Sequence, residues 1–226
     1  HVEPTCIWTL RYPEIAAQWD TEQNGGIQPE QVRVSGRQKY WWRCEKGHQW
    51  AALFRARTTG GSSCPYCAQR RVLAGYNDLG TKFPEIAKQW DYEKNAPLTP
   101  QETMAYSNRK VWWRCELGHS YAATVKNRTG KHTGCPYCTR RSVLPGFNDL
   151  ASQHPELVAQ WHPFMNGTLT PEQVTYGSKR RVWWQCPEGH VWRAVIYSRT
   201  GTRPSGCPLC AKQMAVRERL KMLHSR

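Results

Sequence analysis

In the middle third of the chain the apolar positions change period twice, and each change predicts a new element. Asn77-Asp78-Leu79 reads as a turn leading into a helix, with Asp78 as its cap. Pro84-Glu85-Ile86-Ala87-Lys88-Gln89-Trp90 follows, with proline suited to a first helical turn and Ile86 and Trp90 four apart on one face. After a polar loop around Asn95, Thr99-Pro100-Gln101-Glu102 has the form of a short capped turn. The period then switches to that of a strand. Lys110-Val111-Trp112-Trp113-Arg114-Cys115 is rich in β-branched and aromatic residues, and Tyr121 to Val125 predicts a second strand. Gly118 sits in the tight turn between them, where a permissive backbone is needed. Asn127-Arg128-Thr129-Gly130-Lys131 reads as a basic loop, and Arg140-Arg141 as the start of a short helical turn.

The same order of elements occurs three times. Pro13 to Trp19 and Pro155 to Trp161 repeat the first helix, so Trp19, Trp90 and Trp161 are expected as core anchors. Gln28-Pro29-Glu30-Gln31 and Thr170-Pro171-Glu172-Gln173 repeat the capped turn. The motif W-W-x-C-x3-H recurs with Cys44 and His48, Cys115 and His119, and Cys186 and His190. A C-P-x-C pair follows each: Cys64/Cys67, Cys135/Cys138 and Cys207/Cys210. The first cysteine advances by 71 residues at each copy (positions 44, 115 and 186). A fixed period of this length defines tandem modules rather than one large core. The boundaries fall at residues 1–72, 73–143 and 144–210, with 211–226 as a basic C-terminal helix or tail.

Three cysteines and one histidine per copy are a tetrahedral zinc set. Four protein ligands leave no open position for water or substrate, so the expectation is three structural zinc ions. A unit of about 70 residues builds little core of its own and needs such a staple. The fold class expected is therefore a small zinc-stabilised α+β, three tandem modules each made of a knuckle β-hairpin and short helices. Nine of the ten cysteines are used in this way. Their grouping by three, each with a histidine at one offset, argues against a disulfide framework. Cys6 aligns with Asn77 and Asn148 and is expected as a free thiol. No nucleophile–base pair or paired carboxylates recur, so the chain is expected to be no enzyme.

Charge adds a partner. There are 32 Lys+Arg against 17 Asp+Glu, a formal charge of +15, and the pI is about 9.6. Such an excess favours a polyanion, nucleic acid before membrane. Some cations recur with the period: Lys39, Lys110 and Arg181 at the start of the first strand; Arg57, Arg128 and Arg199 near the glycine loop; Arg43 and Arg114 one residue before a ligand. Arg70-Arg71 and Arg140-Arg141 follow the second ligand pair, where the third copy has Lys212. Taken together they form a candidate phosphate-tracking stripe. The paired tryptophans point to opposite faces of their strand. Burial of both is the expected arrangement; a stacking platform for unpaired bases is the alternative.

His1 to Leu10 has no apolar stretch of the leader type, and no run approaches the ~18 residues of a membrane span. An intracellular, cytoplasmic location is expected, nucleoid-associated if the source is bacterial. Histidine at position 1 fits a fragment or a processed product. From Ala211 onward, Val216, Leu220 and Leu223 follow helical spacing among basic residues.

The unit P-E-x4-W…W-W-x-C-x3-H-x-[WY]…R-T-G…C-P-x-C resembles the treble-clef or zinc-ribbon repeat modules of bacteria, phages and other mobile elements, most fully from Asn77 to Cys138. The resemblance implies a zinc-bound knuckle hairpin plus a short helix carrying the second ligand pair. Related modules stand beside endonuclease domains similar to those of very-short-patch repair, which implies a DNA-targeting role. The first copy departs from the pattern by opening on Cys6-Ile7-Trp8, and no stretch of these 226 residues outside the repeats is long enough to hold a nuclease domain. The expected function is a non-enzymatic array that binds nucleic acid, DNA first. The alternatives are an adaptor recruiting a nuclease, recombinase or transposase, and RNA binding.

Overall fold

The computed structural model describes residues 7–32 and 37–224. Cys6 lies outside them. The chain divides into two compact units, residues 1–114 with 122–131, and residues 115–121 with 132–226. The first holds one Cys/His cluster and the second holds two.

Each repeat is built on a two-stranded sheet: β1 (Lys39–Arg43) with β2 (Gln49–Leu53), β3 (Lys110–Arg114) with β4 (Ser120–Thr124), and β5 (Arg181–Gln185) with β6 (Val191–Val195). In the first hairpin Trp41 faces Ala51 and Trp42 faces Trp50; in the third, Trp183 faces Arg193 and Trp184 faces Trp192. A two-stranded sheet has one face to bury, and a single period-2 step decides which tryptophan goes inside. Trp42, Trp113 and Trp184 are fully buried. Each packs edge-on against the tryptophan three residues beyond the Pro-Glu helix of its own repeat (Pro13–Ala16, Pro84–Ala87, Pro155–Val158), with ring centres 5.6 Å apart: Trp19, Trp90 and Trp161. Those anchors donate their indole N–H to the carbonyls of Ile27, Leu98 and Leu169.

The small capped elements are as the sequence predicts. Asp78 and Asp149 accept N–H bonds from Thr81 and Ser152, and Pro29–Gln31, Pro100–Glu102 and Pro171–Gln173 each carry a capping box. Burial alone would raise the carboxyl of Asp78. Hydrogen bonds from Thr81 and from the Gly75 N–H outweigh it and hold the group below its ordinary range.

Two segments differ from their sequence reading. The strands end one residue early and lead into short helices at Phe54–Arg57, Val125–Thr129 and Ile196–Thr200, so the supposed glycine loop begins as a helix. After Cys67 and Cys138 the chain does not continue as a helix: Gln69 and Arg140 take φ of +55° and +56°, which ends the turn. The third repeat lacks that break, and its helix runs unbroken from Pro208 to His224, across the expected boundary at 210. Among the described residues no helix is long and apolar enough to cross a membrane.

The repeats are joined by a buried asparagine. Asn77 donates to the carbonyls of Tyr66 (3.2 Å) and Arg71 (2.9 Å) and accepts from the Leu73 N–H (2.7 Å). Asn148 makes the matching bonds to Tyr137, Ser142 and Leu144. One side chain thus bonds three backbone groups in and just after the preceding C-P-x-C turn.

Candidate metal centres and the cationic face

The hairpin turn and the C-P-x-C turn bring four ligand atoms together in each repeat. Cys44, His48, Cys64 and Cys67 form the first set, Cys115, His119, Cys135 and Cys138 the second, and Cys186, His190, Cys207 and Cys210 the third; within each, all ligand atoms lie within 4.8 Å of one another. The separations identify the geometry. Zinc–sulfur bonds of about 2.3 Å in a tetrahedron place two sulfurs about 3.8 Å apart, and a sulfur and a nitrogen about 3.6 Å apart. The observed Sγ···Sγ distances are 3.9, 3.8 and 3.7 Å for Cys44–Cys67, Cys115–Cys138 and Cys186–Cys210. In the first set the Sγ atoms of Cys44, Cys64 and Cys67 lie 3.5, 3.7 and 3.3 Å from His48 Nδ1. A disulfide would need about 2.05 Å. Histidine contributes Nδ1 at every site. With no metal, neither thiol can ionise easily: burial, then neighbouring thiols, push Cys138 and Cys210 up to about 12. A dication removes that obstacle by binding the thiolates directly. Each set is closed, and all twelve ligands read from the sequence are in place.

The ligand imidazole is held by the start of the following repeat. Tyr76 packs on His48 with ring centres 4.1 Å apart, and Phe147 on His119 at 4.2 Å. Neither aromatic was singled out by the metal motif, although both precede the joining asparagine in the pattern Gly-aromatic-Asn-Asp-Leu.

Arg57, Arg128 and Arg199 are not where a phosphate stripe would need them. All three are buried, because the segment that carries them is helical and turns them inward. Their guanidinium groups lie over indole faces: Arg57 at 5.3 and 5.1 Å from Trp42 and Trp50, Arg128 at 5.2 Å from Trp113, Arg199 at 4.7 and 5.1 Å from Trp184 and Trp192. Each donates to a glutamine side chain 39 residues earlier, Gln18, Gln89 or Gln160. Burial lowers the pKa of Arg57 and Arg199, and the charges of Cys64 and Cys207 act against that shift. Three thiolates and a neutral imidazole around a zinc dication carry one net negative charge. In the first and third repeats the buried guanidinium feels that charge through Cys64 and Cys207; in all three it is hydrogen-bonded within its own repeat. The recurrence of Gln18, Gln89 and Gln160 was the missed signal.

Arg43 and Arg114 are half-exposed and paired with carboxylates. Arg43 meets Asp20 at 3.1 Å and Glu22 at 3.2 Å; Arg114 meets Asp91 at 3.2 Å and Glu93 at 3.3 Å. In the third repeat Gln185, His162 and Phe164 replace these residues. Arg140 lies over the Tyr176 ring at 5.1 Å, and Arg141 bonds Thr139 and the Gly134 carbonyl. Arg71 lies over Tyr66 at 5.7 Å. Lys39, Lys110, Arg181, Arg70 and Lys212 are exposed.

The first tryptophan of each pair is not covered as expected. Trp41 and Trp112 are each 39% exposed and Trp183 is half-buried. With Lys39 and Arg43, Lys110 and Arg114, and Arg181, they lie on the outer face of their hairpins.

These closed sites on knuckle hairpins define a tandem array of three Cys3His zinc modules. Residues 15–70, 86–141 and 157–213 each match the family described as probable treble clef zinc finger domain, and the chain belongs to that family. Comparison with curated proteins gives no match.

Proposed function

We propose that the array binds nucleic acid without catalysing a reaction, DNA foremost, through the outer face of each hairpin. The observation that carries this reading is an exposed cation two residues before a surface tryptophan on the first strand of every repeat: Lys39 with Trp41, Lys110 with Trp112 and Arg181 with Trp183. Arg193, exposed on the neighbouring strand, adds a cation beside Trp183. Rigid hairpins presenting cations suit a phosphate backbone, and the +15 charge supplies long-range attraction. Duplex DNA binding measured across a salt series tests the reading. The logarithm of affinity should fall by roughly 0.9 per log unit of salt for each phosphate contact. Replacing Lys39, Lys110 and Arg181 by Glu should weaken binding and flatten that slope. A complex indifferent to salt and to these substitutions contradicts the proposal.

A second reading is an adaptor for a nuclease, recombinase or transposase. It rests on the C-terminal helix, where Leu209, Met214, Val216, Leu220 and Met222 are exposed among lysines and arginines. A complex with another protein that survives nuclease digestion and high salt would favour it.

A further inference from the structure

We propose that Trp41, Trp112 and Trp183 are stacking platforms for unpaired bases, so that the array prefers nucleic acid with single-stranded character; this rests on the nucleic-acid reading above. Twelve tryptophans serve this chain, and the three on the outer strand face are the ones the fold does not need inside. Their immediate neighbours Trp42, Trp113 and Trp184 fill the core with no exposure. A threonine or valine would satisfy an outward strand position equally well, yet a large, half-exposed indole stands there in all three copies.

The platforms are fixed at their backbone by one asparagine each. Asn24 accepts from the Trp41 N–H and donates to its carbonyl, at 2.9 Å each. Asn95 does the same for Trp112 at 2.8 and 2.7 Å, and Asn166 for Trp183 at 2.8 and 2.9 Å. These bonds fix the Cα of each tryptophan while leaving indole surface uncovered. The residue across the strand from Trp41 is Ala51, too small to shield it.

Exposed cations stand near each platform. Lys39 lies two residues from Trp41 on the same face, a step of about 6.6 Å along a strand, while Arg43 on the other side is held by Asp20 and Glu22. Lys110 stands beside Trp112 in the same way, with Arg114 held by Asp91 and Glu93. Lys94 Nζ lies over the Trp112 ring at 4.3 Å from its centre, and the Arg193 guanidinium over that of Trp183 at 5.9 Å, so a base stacks there by using the other face or by displacing the cation. A π-face beside positive charge accepts any base, because every base has a stacking face, and gives little sequence preference. The ligand chemistry is therefore an unpaired nucleobase on a phosphate chain, from DNA or RNA.

The test compares four probes of equal length at one ionic strength with the full zinc-loaded chain: a single DNA strand, the same strand with abasic sites throughout, an RNA strand and a DNA duplex. Stacking predicts tighter binding of the base-bearing strands than of the abasic strand, with quenching of tryptophan fluorescence on the former alone. The variant Trp41→Leu/Trp112→Leu/Trp183→Leu should lose about tenfold in single-strand affinity per platform engaged, and with it the preference for base-bearing over abasic strands. The ratio of RNA to DNA binding separates the two sources of the base. Equal binding of base-bearing and abasic strands by the unmodified chain overturns the proposal, and needs no variant to fold. If the duplex is still bound with the salt slope above, stacking alone has failed; if no probe is bound, the nucleic-acid reading has failed with it.

Discussion

Asn95 holds Trp112 by both of its backbone groups, its Nδ2 donating to the carbonyl at 2.7 Å and its Oδ1 accepting the N–H at 2.8 Å. The Trp112 carbonyl also accepts the Asp91 N–H at 3.1 Å, so this edge of the hairpin is covered by one side chain together with the backbone that leads to it. Asn95→Ala removes both. A loss of about 1 kcal/mol of stability is expected from partly exposed bonds, measured by denaturant titration. Asn95→Asp keeps the acceptor but not the donor and should fall between the two. Wild-type stability in the alanine variant would show that the bonds hold nothing.

The buried arginines answer to the metal and not to a phosphate. Arg199→Met leaves Gln160 without its partner and the Cys207 thiolate without its countercharge. The expected loss is about 2–4 kcal/mol. Zinc affinity in competition with a chelator should fall roughly 10- to 100-fold, as for other partners that support a ligand set. Arg199→Lys keeps the charge but not the planar fork over Trp184 and Trp192, so it should restore only part of the affinity. Weakened DNA binding with zinc affinity unchanged would contradict this role.

Asp78 and Asp149 give the fold an acid limb of known sign. Each carboxyl sits below its ordinary value, because hydrogen bonds to the ionised form outweigh the burial that opposes it. A lowered folded pKa means stabilisation that is complete above the unfolded value of about 3.9 and is lost as pH falls through the folded one. At neutral pH, Asp78→Ala should destabilise by about 1–2 kcal/mol, the value of a helix cap. The gap from wild type should close as the solution is acidified. A gap that stays constant in pH would remove the carboxylate from the explanation.

The sequence was most legible where spacing alone decides the outcome. The interval between Cys44 and Cys115, and the fixed offset to His48 and His119, were enough to place all twelve ligands. Asp78 and Thr99 were legible as caps because capping depends on three or four neighbouring residues. What failed depended on which way a side chain turns. Arg128 follows the strand by a few residues, and a one-turn helix there rotates it under Trp113 rather than into solvent. Trp112 was expected to be covered on its reverse face, but a two-stranded hairpin has only one covered side. Gln89 and Asn95 carried no motif of their own. Their meaning lies in the partners Arg128 and Trp112, 39 and 17 residues away, which only the fold brings near. Arg43 illustrates the same limit, since Asp20, 23 residues earlier, already occupies its fork.

Closed Cys3His coordination is what gives each repeat its shape, and binding energies of about 10–16 kcal/mol per structural zinc are available to do so. Metal content by native mass spectrometry, followed by chelator titration under near-ultraviolet circular dichroism of the buried Trp42, Trp113 and Trp184, tests this most directly. The expected result is three zinc ions per chain, with the aromatic signal and cooperative unfolding lost as they are withdrawn. A metal-stripped chain that keeps its aromatic signal and still melts cooperatively would contradict the account.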